Sequence, residues 1–408
     1  MNSRFWSRIS MSSMIVASML VSLSASGQGR NPVSYTVTDL GAAGVNSFAY
    51  SINGLGMVAG GAAAPPLSNF VAQTPVIWYR GRTIPLGTLG GSDCPDCSGE
   101  GAAVAPNGVA ALLSETTVSN GPTGEDFCEF GTHRQCLAAV WKRGVLTALP
   151  LLAGGENSEA FFMNDEGEAV GVSEIGDAGD NCLTPFQTHL FLAAKWPASG
   201  GVIPLRPLPG DTVSFAFAIN DAGQAVGMSG QCSNVLLPPF VPGSPSAPHA
   251  VLWDADGTPH DLNPPGSDGT YNVAANINNR GQVATASMMA DGTLHAFLWT
   301  HGQAHDLGTY PLGAPVTFTG CCNNVNDLGQ IVGVSIDAKG NTHGLFWQTP
   351  DSKPIDLSTL LPAGSPWTIV FSGGINNAGE IAATAFNLNT SEVHAVLISP
   401  IRETAHDN

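Results

Sequence analysis

The chain has 408 residues, of which 11% are charged and 43% hydrophobic, and its formal net charge is −18. An acidic chain of this kind repels polyanions, which excludes nucleic acid as a natural partner. Its length and apolar content suffice for a large core; the N-terminal apolar run is too short to cross a bilayer and no second one follows, so the chain is not expected to be membrane-embedded.

Residues 1–27 have the layout of a secretory signal. Arg4 and Arg8 form a positive start, Met14 to Leu23 an apolar centre, and Ser24-Ala25-Ser26-Gly27 a small-residue cleavage region. Export removes those two arginines and takes the net charge from −18 to −20. The expected location is secreted, periplasmic or extracellular.

From Tyr35 onward one pattern recurs: an apolar residue, Asn, two residues, Gly, a small-residue strand, a loop, and an aliphatic strand ending in Trp. The turn glycines are Gly56, Gly108, Gly167, Gly223, Gly281, Gly329 and Gly379, spaced by 52, 59, 56, 58, 48 and 50 residues. Such a period marks an array of one supersecondary unit. In the fourth copy, Phe215 to Ile219 predict a first strand, Asn220-Asp221-Ala222-Gly223 a turn, Gln224 to Met228 a second strand, His249 to Trp253 a third and Pro259 to Leu262 a short fourth. Asn opens such a turn because its side chain bonds the backbone beyond it, and Gly closes it in the left-handed region. The second copy departs from this, with Ala105-Pro106-Asn107-Gly108. No apolar pattern of period 3.6 persists, so the mature chain reads as all-β.

The seventh copy lacks a fourth strand after Ile398, and the missing piece stands at the other end. Tyr35-Thr36-Val37-Thr38-Asp39-Leu40-Gly41 matches the fourth strand around Asp306-Leu307-Gly308. A terminal strand that completes the last unit closes a ring, whereas a linear solenoid leaves it unexplained. The expected fold is a seven-bladed β-propeller of four-stranded blades over residues 28–400, closed by the N-terminal strand, with a polar tail at 401–408.

Eight cysteines in an exported chain predict disulfides. The repeat register favours Cys94–Cys97, Cys128–Cys136, Cys182–Cys232 and Cys321–Cys322. The last pair is adjacent, which would strain the ring. Cys94-Pro95-Asp96-Cys97 lacks the second ligand pair that a zinc site needs. Gly176-Asp177-Ala178-Gly179-Asp180-Asn181 is acidic and glycine-rich but lacks the spacing of known calcium loops. No metal and no cofactor is expected.

His295-Ala296-Phe297-Leu298-Trp299, Asp306-Leu307-Gly308-Thr309 and the Asn220 to Gln224 turn resemble the bacterial extracellular HAF repeat family, named for its His-Ala-Phe tripeptide. The resemblance runs from about Tyr35 to Ser399 and is clearest at His249, His295, His343 and His394. Thr74, Leu137 and Leu192 fill that position in the first three copies. It implies secretion and a repetitive β architecture, and it carries over no catalytic residues.

The recurring His, Trp and Asp residues read as scaffold: strand bridges, wedges between blades, and turn or inter-blade partners. Function is expected where the copies differ. The loops between second and third strands are short in blades five to seven and long in blades one to four, at Ala62 to Gln73, Glu115 to Gln135, Glu174 to Thr188 and Gly230 to Pro248. Insertions on one face of an array build its binding surface. They hold Glu125, Asp126, Glu129, His133, Arg134, Glu174, Asp177, Asp180 and His189. The expectation is a monomeric, non-catalytic module that binds an extracellular glycan or protein through these loops. The alternative is a glycan-active enzyme, a polysaccharide lyase or glycoside hydrolase, with His133, Arg134 or His189 as base and cation.

Overall fold

The computed structural model describes residues 34–42, 46–62, 74–94, 97–121, 125–128, 130–178, 182, 188–235, 249–319 and 323–401. They form a seven-bladed β-propeller. Blade one is Ser47–Ile52, Val58–Ala62, Thr74–Tyr79 and Arg82–Pro85, and blade two is Gly99–Val104, Ala110–Ser119, Arg134–Lys142 and Val145–Ala148. Blade three is Gly154–Met163, Ala169–Ala178, His189–Trp196 and Ile203–Leu205; blade four is Val213–Ile219, Ala225–Gly230, His249–Trp253 and Pro259–Asp261. Blades five and six begin at Ser267–Ile277 and Val316–Phe318, and one parallel bridge, Leu294 to Val316, joins their sheets. Blade seven is Trp367–Ile375, Ile381–Asn387 and Val393–Pro400, completed by Tyr35–Asp39 at its outer edge. That last pairing is antiparallel and runs from Tyr35 opposite Pro400 to Asp39 opposite Val396.

Each recurring residue has a place in this ring. The turn asparagines form a ladder around one face. The Nδ2 of Asn164 donates to Asn220 O, Asn220 to Asn278 O, Asn278 to Asn326 O, Asn326 to Asn376 O, Asn376 to Asn53 O and Asn53 to Ala105 O, at 2.9–3.2 Å. The next turn position adds a second ladder in blades three to seven, where the backbone N–H groups of Asp165, Asp221, Asn279 and Asp327 each donate to the side chain of the following blade. Gly223 closes its turn at φ +79, a conformation that a Cβ disfavours. In the second strand, a Cβ on Gly227 would lie 1.8 Å from the Phe215 carbonyl, beside the bulge of the inner strand.

The third-strand histidines bond the fourth-strand aspartates of their own blade. His295 Nδ1 lies 2.9 Å from Asp306, His343 Nδ1 2.8 Å from Asp356, His394 Nδ1 2.9 Å from Asp39 and His249 Nδ1 3.4 Å from Asp261. The same aspartates accept the N–H two residues on, from Gly308, Ser358, Gly41 and Asn263. These partners therefore lie within blades. The tryptophans add contact between blades: Trp196, Trp253 and Trp347 are buried, and their indole N–H groups donate to Pro150, Arg206 and Leu307 of the preceding blade.

Three disulfides lie among the described residues, Cys94–Cys97, Cys128–Cys136 and Cys182–Cys232. Cys321 and Cys322, residues 1–33 and most of the loops at 62–73 and 230–248 lie outside the described residues.

The sequence boundaries of two insertions shift. The hairpin strands of blades two and three run on to Ser119 and Ala178 instead of stopping at Glu115 and Glu174, and Cys136 belongs to a strand. Glu115 and Glu174 are consequently buried strand residues rather than loop residues, each facing a third-strand partner, Cys136 and Phe191.

Around the axis, one apolar cluster draws residues from blades two to seven, among them Leu113, Val172, Phe215, Val273 and Phe318, with Phe371 packed against it. At the register of Phe215, blades two and three place Glu100 and Glu159 instead, opposite Leu113 and Val172.

Candidate functional site

The inner strands, the extended hairpins and the loop at 125–136 bring a group of acidic side chains together where blades two and three meet. Its centre is Glu125, Glu174 and His189. Glu174 ends the regular part of its hairpin and is fully buried; Glu125 comes from the blade-two insertion; His189 opens the third strand of blade three and is one-third exposed. His189 Nδ1 lies 3.8 Å from Glu125 Oε2 and 3.7 Å from Glu174 Oε1. The three donor atoms lie within 4.8 Å of one another.

The surrounding chain fixes these carboxyls. Glu125 Oε1 accepts from Thr188 N–H at 2.7 Å. Asn157, from the inner strand of blade three, donates through Nδ2 to Glu125 Oε2 at 3.3 Å and Glu174 Oε2 at 3.0 Å, and its backbone N–H reaches Glu174 Oε2 at 2.8 Å. Glu174 Oε1 is buried and accepts no hydrogen bond. Burial, then the charge of Glu125, pushes the Glu174 carboxyl up to about 8. The His189 Nδ1 also meets the Thr188 hydroxyl at 3.1 Å.

The same two blades hold further carboxyls, Glu115 and Glu159 buried and Glu100 half-buried. Glu115 accepts from the Thr132 hydroxyl and from Ser98 N–H, and burial raises its carboxyl against those bonds. Burial raises Glu100 to about 7. Glu159 stands well above the usual carboxylate range through burial, then the charges of Glu100 and Asp126. Its Oε1 lies 3.8 Å from Cys136 Sγ, a disulfide sulfur with no proton to give. For the same reason the grouping of Cys128, Cys136 and Glu159 offers no thiolate to a metal.

Of the residues singled out in the sequence, Glu125 and His189 meet here, with Glu174. Asp126 is buried and holds its own loop, accepting from Gly131 N–H at 2.8 Å and His133 N–H at 3.4 Å. His133 sits at φ +53, and its carbonyl accepts from Asn120 N–H. Arg134 begins a strand opposite Ser119, and its charge acts on Glu115. Asp177 belongs to a strand, but its side chain, like Asp180 and Glu129, lies outside the described residues. The sequence reading missed Asn157, Glu100 and Glu159. A comparison of the copies strand by strand would have shown the two glutamates, since Phe48, Phe215, Val273, Phe318 and Phe371 fill that register elsewhere.

This seam also interrupts the asparagine ladder. Ala105 accepts from Asn53 but has no amide to pass on to Asn164.

No protein-family model matches the chain, and no curated protein does. Among solved structures its fold is similar to that of virginiamycin B lyase from Staphylococcus aureus, with a TM-score of 0.51 and 9% identity over 90% of this chain and 100% of that one. A puromycin-hydrolyzing peptidase from Mycobacterium tuberculosis gives a TM-score of 0.50 and 10% identity, covering 90% of this chain and 56% of the peptidase. An acylaminoacyl peptidase from Pyrococcus horikoshii gives 0.49 and 11%, covering 88% and 52%. The chain thus spans about half the length of the two peptidases, and at these identities the likeness is one of fold.

Proposed function

We propose that this chain is an exported propeller that acts on an extracellular glycan, as a lyase or hydrolase, at the rim between blades two and three. Glu125, Glu174 and His189 form its chemical centre. The observation that carries this reading is their convergence from three separate segments onto one point, with a partly exposed imidazole beside two buried carboxyls. Groups held in this way suit proton or cation chemistry on a hydroxyl-rich substrate. Residues 1–27 direct export, and the three disulfides fit the oxidising compartment that follows. The His–Asp clamps and asparagine turns support membership of the HAF repeat family. The similarity to a lyase supports the choice of reaction class through fold analogy alone.

One observation favours a second reading, a non-catalytic glycan-binding module. The chain's own donors, Thr188 and Asn157, already occupy three of the four oxygens of Glu125 and Glu174. A panel of neutral and uronate-containing polysaccharides separates the two. Unsaturated or reducing ends that appear with the native chain, and fall strongly with His189→Gln, support the enzyme. Saturable retention without products supports the module. Neither retention nor product would end the glycan assignment.

A further inference from the structure

The geometry points to a site for a first-row divalent cation, such as Zn²⁺, at the seam of blades two and three, with Glu125, Glu174 and His189 as its ligands. It involves the residues of the glycan reading but does not depend on it, because cation binding is measured with no glycan present.

The first argument is an unmet need. Glu174 Oε1 is buried, faces His189 Nδ1 at 3.7 Å, and accepts no hydrogen bond. A buried carboxylate oxygen without a donor is costly, and the neighbouring carboxylate of Glu125 makes it costlier. A cation between the three donors meets this need for both carboxylates at once.

The second argument is distance. Ligands ~2.1 Å from a tetrahedral ion lie ~3.4 Å from one another. The two imidazole-to-carboxylate distances are 3.7 and 3.8 Å, and all three ligand atoms lie within 4.8 Å of one another, so a modest contraction brings them onto one ion. The Thr188 hydroxyl, 3.1 Å from the same nitrogen, turns away or joins the ion.

The donor set selects the metal. An imidazole with two carboxylates suits Zn²⁺ and its neighbours, whereas Mg²⁺ and Ca²⁺ prefer oxygen alone. The outer shell already orients the ligands: Asn157 bonds both carboxylates, and Thr188 N–H fixes Glu125. The partial exposure of His189 leaves a side open for water or substrate, the arrangement of a catalytic rather than a structural site.

The test uses the full mature chain, stripped with a chelator. Titration calorimetry with Zn²⁺ should show one site per chain, and Mg²⁺ should not displace the ion. Co²⁺ should give the visible bands of a low-coordinate N,O site. His189→Gln, at a partly exposed position, should weaken binding more than about tenfold, as should Glu174→Gln; far-UV circular dichroism shows that each variant folds. Absence of a one-to-one site overturns the proposal, as does a site that both variants leave intact. A Glu174→Gln chain that is stabilised, and no longer responds to metal only because the native chain never did, assigns the pair to a shared proton and also overturns it.

Discussion

The side-chain amide of Asn376 donates to the backbone carbonyl of Asn53 at 3.1 Å, across 323 residues of chain. This bond carries the asparagine ladder from the last blade to the first. The same amide bonds Glu380, and its oxygen accepts from Ala378 and Glu380 N–H. Asn376→Ala should therefore strip a buried turn of several bonds and cost about 2–3 kcal/mol. Equilibrium urea unfolding checks this; a loss below about 0.5 kcal/mol would show that the ladder follows from closure rather than supporting it.

Glu100 and Glu159 should make the molecule weaker in alkali. Both carboxyls stand above their usual range, so the folded state holds protons that the unfolded chain releases. Stability is favoured at low pH and falls as pH rises from about 4.5 through the folded values, about 7 for Glu100. Glu100→Gln with Glu159→Gln should stabilise the chain at pH 8 and change it little at pH 4.5. Thermal unfolding across that range would refute the idea if the gain were independent of pH.

His343 behaves in the opposite sense. Its hydrogen bond to Asp356 raises the imidazole above its ordinary value, against the effect of burial. The charged pair contributes fully below about pH 6.5 and is lost as pH rises through the folded value. His343→Ala should destabilise more at pH 5.5 than at pH 9. Equal losses at the two pH values would assign the histidine to packing.

Cys182–Cys232 joins the insertions of blades three and four across 50 residues. On the loop-entropy view such a link contributes ~4 kcal/mol. Reduction, or Cys232→Ser, should lower the melting temperature by several degrees, and more than loss of Cys94–Cys97, which spans 3 residues. Proteolysis confined to the insertions after reduction would show that the link braces the face. An unchanged digestion pattern would show that the strands alone hold it.

The architecture was legible because each copy repeats its physical reasons. Asn before Gly needs a turn, and the stray Tyr35 to Gly41 segment needs an edge. The acidic centre was legible only in part. Glu125 and His189 stood out as departures from the pattern, but their meeting depends on a long insertion folding back across a blade boundary, which spacing does not encode. His133, singled out with them, bonds its own loop through its backbone N–H and carbonyl. Glu100 and Glu159 escaped notice because they lie in strands that were read as scaffold, although those two blades alone set a carboxyl at that register.

The strand Tyr35–Asp39 also sets the order of assembly. Thr36 pairs with Ser399, 363 residues away, so the ring cannot be closed until Ser399 has been made. Until then Tyr35–Asp39 waits without its partner, while six blades are able to form from neighbouring sequence. Closure is thus the least local step and should be the slow one. A circular permutant that carries Tyr35–Asp39 after Pro400 makes the same blade from adjacent residues. It should fold faster to the same ring.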